Sequence, residues 1–223
     1  MVFTLPKPRE KRASKKQSHP AAFDAKVRIR QLVLSAIPEP RVFDAFAGEG
    51  GMFRAVWSQA KEYVGCDLEW RKDGRKMFVG DNRRVLRAVE LERFNIFDLD
   101  AFGSPWEQAI IIADRRPVAA GELIGIVITE GVAMSLAGNQ MPMAMRELAS
   151  LPGRNMVGQR RAAELVYERV IAGLAKRMGC KIERRWEARG KTGAHLRYTG
   201  LVLKGSEGLR PRVRELAEEL AVE

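Results

Sequence analysis

Cysteine and histidine are scarce in this chain of 223 residues, which contains two of each. Cys66 and Cys180 lie far apart and lack the spacing of metal ligands, which argues against a zinc site or disulfide framework and favours a reducing compartment. His19 and His195 have no third ligand beside them. No apolar run approaches the ~18 residues of a membrane span, and the N-terminus lacks the apolar core of a signal peptide. We therefore predict a cytoplasmic protein with no metal ion and no membrane segment.

Acidic residues are outnumbered as well, since 39 Lys and Arg residues stand against 28 Asp and Glu residues, for a net charge of +11. Such an excess favours a polyanionic partner, with nucleic acid ahead of a membrane surface; a generally solvated basic surface is the alternative. Residues 1–20 carry six of these cations and almost nothing apolar. This composition predicts a basic arm that is disordered in the absence of a partner. The arm either contacts nucleic acid or only solubilises the chain.

Apolar residues make up 46% of the chain, enough for the core of one large domain. We place this domain at residues 21–204, because strand and helix patterns alternate along it. Residues 205–223 predict an amphipathic terminal helix that docks on the domain or pairs with another subunit, so the oligomeric state stays open. The predicted strands cover residues 41–44, 63–67, 76–79, 94–99, 125–129, 181–186 and 196–203.

The alternating patterns predict an α/β fold with a doubly wound, mostly parallel, seven-stranded sheet. The last two strands are joined by a short glycine-rich link, residues 188–194, and are predicted to form an antiparallel hairpin. After the fourth strand, Ser104 is predicted to cap a helix that has Pro105 at its first position and Glu107 three residues after the cap. The Met-rich residues 130–156 are predicted to be irregular, either as a lid over the site or as a packed loop.

Residues 42–51, VFDAFAGEGG, join an apolar strand to a helix through an acid and a glycine-rich turn. Glycines let backbone approach a ligand closely, and the turn leads into a helix N-terminus. Asp67 ends the next predicted strand 19 residues after Gly48, close to the ~20-residue interval of a ribose-binding acid. The pattern predicts a nucleoside cofactor; a dinucleotide, with its pyrophosphate on the turn, is one alternative.

With the antiparallel ending of the predicted sheet, residues 42–50 resemble the first motif of the class I S-adenosylmethionine-dependent methyltransferases. The resemblance implies a Rossmann-like methyltransferase fold and S-adenosylmethionine as the cofactor. It implies that the glycine turn wraps the methionine part, that the acid after the second strand binds the ribose, and that the acid after the third strand faces the adenine. The cofactor-binding residues implied are Asp44, Phe46, Ala47, Gly48, Gly50, Asp67, Leu68, Asp81 and Asn82.

The segment DLDAFGSP, residues 98–105, lies at the C-terminal end of the fourth predicted strand, at the sheet edge where open α/β folds bind ligands. Strand alternation puts Asp98 and Asp100 on the same side. An exocyclic amine of a nucleobase is a weak nucleophile, and a carboxylate that accepts its N–H can activate it. An aromatic ring such as Phe102 can stack on the base and align the nitrogen with a methyl donor. We therefore predict catalytic roles for Asp100, Phe102 and Asp98.

This segment resembles the fourth motif of the tRNA guanine-N2-dimethyltransferases, which is Asp-Pro-Phe-Gly-Ser-Pro. The resemblance implies that Asp100 contacts the amine and that Phe102 is the stacking ring. Ala101 stands where that family has proline, and the short residues 205–223 stand where it has a large C-terminal domain. The predicted function is methyl transfer to an exocyclic amine of a nucleobase, in RNA rather than DNA.

Three other functions stay open at this point. DNA adenine or cytosine amino-methyltransferases carry Asp/Asn-Pro-Pro-aromatic here, a pattern that residues 100–103 do not match. A nucleic-acid-binding module on the same fold could have lost catalysis, although the intact Asp44, Gly48 and Asp67 argue against this. Methylation of a protein or small molecule is the third. Methylation of a pyrimidine carbon is not expected, because neither cysteine lies in a Pro-Cys nucleophile loop.

Overall fold

A computed structural model describes residues 20–69, 72–131, 141–151, 163–189 and 196–207 of the chain. Its strands are β1 (Arg41–Asp44), β2 (Glu62–Asp67), β3 (Met77–Val79), β4 (Ile96–Leu99), β5 (Leu123–Glu130), β6 (Cys180–Arg189) and β7 (Arg197–Gly205). Its helices are α1 (Pro20–Ala36), α2 (Gly51–Ala55), α3 (Asn82–Ala88), α4 (Trp106–Arg115), α5 (Met143–Leu148) and α6 (Ala163–Arg177). Single 3-10 turns lie at Trp57–Gln59 and Leu91–Arg93.

The strands form one sheet in the order β3-β2-β1-β4-β5-β7-β6. The first five strands of this order pair in parallel, and β7 is antiparallel to both β5 and β6. The arrangement confirms the predicted doubly wound sheet with its C-terminal antiparallel pair. Because the strand order reverses at β1 and β4, the carboxyl ends of these two strands flank a crevice, the usual ligand position in open α/β sheets.

Helices α1 and α2 cover one face of the sheet. Ile29 and Val33 form an apolar stripe on α1 that is buried against the sheet, and Ile37, just after the end of the helix, is buried with them. It lies unusually close to the sheet at two glycines: a Cβ added at Gly125 or Gly200 would come within 2.6 or 2.8 Å of a methyl group of Val33. Larger residues at these two positions would therefore push α1 away from β5 and β7.

Helices α3 to α6 cover the opposite face and enclose the larger apolar core. The rings of Trp106 and Tyr167 meet edge to face there, with centroids 5.9 Å apart. Strand alternation turns Phe97 and Leu99 of β4 toward this core. The intervening Asp98 therefore points to the α1 face, so the polar groups at the ends of β1 and β4 gather on the side that α1 covers.

The start of α4 corrects one sequence prediction. The helix begins at Trp106, with Pro105 at the cap position and no side-chain cap. The hydroxyl of Ser104, predicted as the cap, is buried and has no hydrogen-bond partner within the described part of the chain. Proline at the cap position shifts the first turn of the helix by one residue, which takes the Ser104 hydroxyl out of reach of the free backbone N–H groups.

Residues 130–156, predicted to be irregular, contain helix α5, in which Met145 is buried while Met143 is 78% exposed. Whether the segment forms a lid stays a prediction, because much of it lies outside the described residues. Four predicted features also fall wholly or mainly outside them: the basic arm, His19 and His195, the hairpin link and the terminal helix. None of the described helices is long and apolar enough to cross a membrane.

Candidate active site

The glycine turn lies where the sequence predicts it, between β1 and α2. Gly48 and Gly50 have φ of +45° and +74°, left-handed conformations that favour glycine. The amide of Gly50 closes the turn on the carbonyl of Ala47 at 3.0 Å. The turn is hydrogen-bonded to the end of β2, since the amide of Gly48 donates to Oδ2 of Asp67 at 2.9 Å. The two residues linked by the predicted 19-residue interval are therefore in direct contact.

Asp67 and Leu68 form the wall of the crevice beside this turn. Asp67 is half-buried, and its Oδ1 accepts a second backbone hydrogen bond, from Glu69, at 3.0 Å. Each carboxylate oxygen accepts several hydrogen bonds, so Asp67 keeps capacity for the hydroxyls of a ribose. The side chain of Leu68 next to it is 75% exposed and offers apolar surface to a base. Polar and apolar groups of the kind that a nucleoside needs are thus adjacent.

Asp44 sits inside the protein, only 2% exposed, at the start of the turn. Its Oδ1 accepts the amide of Phe46 at 3.1 Å, and its Oδ2 accepts the hydroxyl of Tyr63 at 3.0 Å. Burial, reinforced by the charge of Asp98, raises the pKa of Asp44 to about 8. Asp44 therefore stabilises the start of the turn from the protein interior. Phe46, two residues later, is half-buried and so lies closer to the surface than Asp44.

Asp81 and Asn82 begin α3 on the other side of the crevice. Asp81 accepts the amide of Arg83 at 2.9 Å and pairs with its guanidinium at 2.7 Å. This pairing holds the pKa of Asp81 well below its usual range. Asn82 donates to the carbonyl of Ala45 at 2.8 Å, so it fixes the glycine turn from the α3 side. Both predicted residues border the crevice, and Asn82 contacts the turn directly.

Asp98 in β4 and Asp100 just after it share one cation from α1. Arg30 is fully buried and donates from Nε and Nη2 to the carboxylate of Asp98 at 2.6 and 2.7 Å. Its Nη2 also lies 3.3 Å from Asp100, so the two acids point to the same side, as strand alternation predicts. The indole of Trp57 adds a third bond to Asp98 at 2.7 Å. Asp98 has no exposed surface, so of the two acids only Asp100 can meet a ligand without rearrangement.

Asp100 is 15% exposed at its side chain and accepts a hydrogen bond from Lys26 of α1 at 2.8 Å. Burial alone would raise the pKa of this carboxyl. The charges of Arg30 and Lys26 outweigh burial and lower the pKa, so Asp100 is an anion at neutral pH. Sequence reasoning missed both cations, although a buried arginine on the stripe of Ile29 and Val33 requires an acidic partner.

Phe102 lies in the loop between β4 and α4 and is 96% exposed. Gly103 follows it with φ of +121°, in the region that favours glycine. The strand that leads into this loop is bonded to the residues before the turn, since the amide of Ala45 donates to the carbonyl of Asp98 in β4 at 3.0 Å. The predicted cofactor turn and the predicted catalytic segment are thus on adjacent strands, and an exposed aromatic ring stands at the rim of the crevice they form.

Two further polar residues near this edge were not predicted. Glu130, at the end of β5, is fully buried, and its oxygens have no hydrogen-bond partner in the described ranges; burial raises its pKa to about 8. Arg75, just before β3, donates to two carbonyls of the glycine turn. Neither lies in a periodic or motif-like stretch of sequence, so no local pattern points to them.

The cysteines are buried and free of disulfides. Burial raises the pKa of Cys66 to about 12 and that of Cys180 to about 11. Both thiols are therefore protonated at neutral pH, which fits the expectation that neither is a nucleophile. Among the described residues no group of three potential ligands could hold a metal ion.

A cavity of about 580 Å³ lies on the α2 side of the sheet, next to the residues that precede β3. Its basic lining residues are Arg41, Lys61, Arg75, Lys76 and Arg93. Lys61 and Arg93 are paired with Glu39 and Glu62. Within the described part of the chain neither Arg41 nor Lys76 forms a salt bridge with a carboxylate.

No family model and no curated protein matches this sequence. Solved structures match its fold. Trm1 from Pyrococcus horikoshii, in complex with S-adenosyl-L-methionine, aligns with a TM-score of 0.50 and 16% identity, over 90% of this chain and 57% of that one. The N-methyltransferase NodS from Bradyrhizobium japonicum WM9, in complex with S-adenosyl-L-homocysteine, aligns with a TM-score of 0.50 and 10% identity, over 83% and 88%. A putative hemolysin from Streptococcus thermophilus aligns with a TM-score of 0.50 and 14% identity, over 94% and 78%.

At these identities the similarity concerns the fold. The sheet order and these alignments together define the Rossmann-like fold of the class I methyltransferases, as the sequence predicts. The chain spans just over half the length of the Trm1 structure, 57% of it.

Proposed function

We propose that this chain is an S-adenosylmethionine-dependent methyltransferase that methylates an exocyclic amine of a nucleobase in RNA. One observation carries the proposal. The glycine turn with its contact to Asp67 and the Asp100–Phe102 segment occupy adjacent strand ends, joined by the hydrogen bond from Ala45 to Asp98. A cofactor on the turn and a base at the segment would then meet in one crevice.

The cofactor would be held by residues on both sides of the turn. Asp67 has acceptor capacity left for ribose hydroxyls, and exposed Leu68 suits the face of an adenine. The two left-handed glycines keep side chains out of the approach to the turn. When bound, S-adenosylmethionine supplies a methyl group on a cationic sulfur. The same molecule, or its demethylated form, is present in the Trm1 and NodS structures, which share this fold.

Asp100 is suited to act on the amine. Its carboxylate accepts an N–H and so directs the nitrogen lone pair toward the methyl carbon. The new N–C bond would form as the methyl–sulfur bond breaks, leaving S-adenosylhomocysteine; the nitrogen would become positively charged, and the adjacent anion would stabilise that charge until the proton passes to solvent. Because its pKa is lowered, Asp100 acts mainly as a hydrogen-bond acceptor and counter-charge, and less as a strong base. Buried Asp98 holds Arg30, which in turn positions Asp100.

The substrate class follows from aromatic exposure and charge. Phe102 is 96% exposed at the rim of the crevice, and every nucleobase has a face on which such a ring can stack. The net charge of +11 and the cations Arg41 and Lys76 favour a phosphate backbone. A base in a stem would have to leave its stack to reach the crevice.

The test is incubation of the full chain with methyl-labelled cofactor and a total lysate, followed by nuclease digestion and nucleoside mass spectrometry. RNase-sensitive label on a base amine is the expected result. Asp100→Asn should lower turnover by roughly 100-fold or more, and Phe102→Leu by about 10-fold, with cofactor affinity unchanged. Asp114→Asn, which alters an acid paired with Arg177 on the outside of α4, should leave turnover as it is.

Each alternative has its own outcome in this experiment. Label that resists RNase and is removed by DNase would identify a DNA amino-methyltransferase. Protease-sensitive label would identify a protein substrate. Salt-dependent RNA binding with no cofactor binding would identify a module without catalysis. Full activity of Asp100→Asn and Phe102→Leu would contradict the assignment of the site.

A further inference from the structure

The connection between β2 and β3 carries a side chain that reaches the glycine turn. The guanidinium of Arg75 is 1% exposed. Its Nη1 donates to the carbonyl of Ala47 at 2.9 Å, and its Nη2 donates to the carbonyl of Gly48 at 2.8 Å. One guanidinium thus ties two consecutive carbonyls of a turn that lies 27 and 28 residues earlier in the chain.

Gly50 packs directly against the same guanidinium. A Cβ added there would lie 2.9 Å from Cζ of Arg75 and 3.0 Å from its Nε, closer than real Cβ contacts allow. The φ of +74° at Gly50 also favours glycine. Glycine is therefore needed at position 50 for two separate reasons: the backbone conformation of the turn and the space that Arg75 fills.

Arg75 is itself anchored on its far side. Its Nε donates to Oδ2 of Asp73 at 2.8 Å, and this bond lowers the pKa of Asp73. Burial alone would lower the pKa of Arg75, but its interactions with Asp73 and Tyr63 outweigh burial and raise it. The hydroxyl of Tyr63 also donates to Asp44 at 3.0 Å. A guanidinium has five N–H donors, and burying it is tolerable only where acceptors surround it. Here two of these acceptors are carbonyls of the glycine turn.

We propose that Arg75 is a positioning residue for the cofactor, which holds the turn at residues 47–50 in its binding shape without touching the ligand. Bonds to consecutive carbonyls remove the freedom that a glycine-rich turn would otherwise have to lose when the cofactor binds. The inference rests on the proposed function only in taking the turn as the site of S-adenosylmethionine. The identity of the methyl acceptor does not enter it.

The test is calorimetry of the full chain with S-adenosylhomocysteine and S-adenosylmethionine. Arg75→Ala should bind both about 10- to 100-fold more weakly, and Arg75→Lys should recover only part of the loss, because an ammonium cannot bridge two carbonyls as a guanidinium does. The matched control is Arg116→Ala. Arg116 is equally buried and bonds the carbonyl of Phe94 at 3.0 Å and the acid Glu122, but it lies next to the start of β4, away from the crevice. Arg116→Ala should lower the melting temperature and leave cofactor affinity unchanged.

A double-mutant cycle separates positioning from general stability. Gly50→Ala should weaken binding strongly in the wild type. The same substitution should weaken it several-fold less in the Arg75→Ala background, because the clash with the guanidinium is gone and only the φ strain remains. Asp73→Asn changes a side chain that is 28% exposed and weakens the anchoring of Arg75 without removing it. This variant should bind the cofactor a few-fold more weakly. It tests the role of Arg75 even if Arg75→Ala fails to fold.

Two different failures can be told apart. A folded wild type that binds neither cofactor form would overturn the proposed function. A wild type that binds, with Arg75→Ala or Asp73→Asn equally tight, or with additive effects of Gly50→Ala and Arg75→Ala, would overturn the role of Arg75 and leave the proposed function standing.

Discussion

Arg30→Met is the substitution that most directly probes how this fold holds its charges. The arginine side chain is fully buried, makes two bonds to Asp98 at 2.6 and 2.7 Å, and lies 3.3 Å from Asp100. Methionine has a similar length and is at home in an apolar core. The substitution thus removes the cation and leaves the space largely filled. The fully buried carboxylate of Asp98 then lies next to that of Asp100 with no cation between them.

The expected loss of unfolding free energy is about 3–5 kcal/mol, the usual cost of removing one partner from a buried ion pair. For a chain of this size that corresponds to a drop in melting temperature of roughly 6–20 °C. Among the described residues, Asp98 then keeps one side-chain donor, the indole of Trp57 at 2.7 Å. The double variant Arg30→Met/Asp98→Asn should recover most of the loss, because the amide of the asparagine is neutral and still accepts from that indole.

The loss should also depend on pH in one direction. Burial already raises the pKa of Asp98 against the opposing charge of Arg30, and loss of Arg30 raises it further. Between the unfolded value of about 3.9 and the raised folded value, the folded state binds more protons, so the unfolding free energy falls as pH rises, by up to about 1.4 kcal/mol per pH unit. The deficit of Arg30→Met relative to the wild type should therefore be larger at pH 7 than at pH 5.

Urea unfolding followed by tryptophan fluorescence at pH 5, 6 and 7 measures this, with Trp57 reporting from beside Asp98. The matched control is Arg177→Met, which breaks partly exposed ion pairs with Asp114 and Glu147 and should cost below about 1 kcal/mol. A deficit for Arg30→Met below 1 kcal/mol, or one that does not change with pH, would refute the view that Arg30 neutralises a buried acid here.

Two further predictions concern the turn and the basic cavity. Because the pKa of Asp44 is raised to about 8, its protonated form favours the folded state, and we expect the melting temperature of the wild type to fall between about pH 4 and 8. Asp44→Asn should flatten this fall; an unchanged slope in a thermal-shift series would contradict this. Lys76→Glu should weaken RNA binding and lower the slope of log affinity against log salt by about one unit. Lys181→Glu, at an equally exposed position on β6 at the far edge of the sheet, serves as its control in filter-binding titrations, and equal losses in both variants would argue against a role for the cavity.

Local patterns predict the parts of this site that lie within single elements. Alternation along one strand is enough to put Asp98 and Asp100 on one side, and their shared partner Arg30 bears this out. The interval from Gly48 to Asp67 follows from one strand-turn-helix-strand unit, and the two residues are in hydrogen-bond contact. These predictions succeed because backbone geometry fixes the direction of each side chain.

Contacts between distant elements are not encoded in this way. Lys26 meets Asp100 across 74 positions and Arg75 meets Gly48 across 27, and neither pairing follows from a periodic pattern. One signal was nevertheless present in the sequence. Arg30 lies on the same helical stripe as Val33, where a charge can be buried only with a partner. A buried cation on a helix and two acids at a strand end are complementary, and only the packing of α1 over the sheet brings them together.

The depressed pKa of Asp100 has a kinetic consequence that separates two chemical roles at this edge of the sheet. If Asp100 acts as acceptor and counter-charge, it is ionised throughout the neutral range, and the turnover number should be nearly constant between pH 5.5 and 7. If a group with a raised pKa took the proton instead, turnover would climb tenfold per pH unit toward that pKa. Glu130, whose pKa burial raises to about 8, is the carboxyl that such a profile would identify. Single-turnover rates of the wild type and of Glu130→Gln across this pH range distinguish the two roles. A flat pH profile in both proteins supports Asp100. A rising profile in the wild type that Glu130→Gln abolishes would instead identify Glu130, at the end of β5, as the proton acceptor.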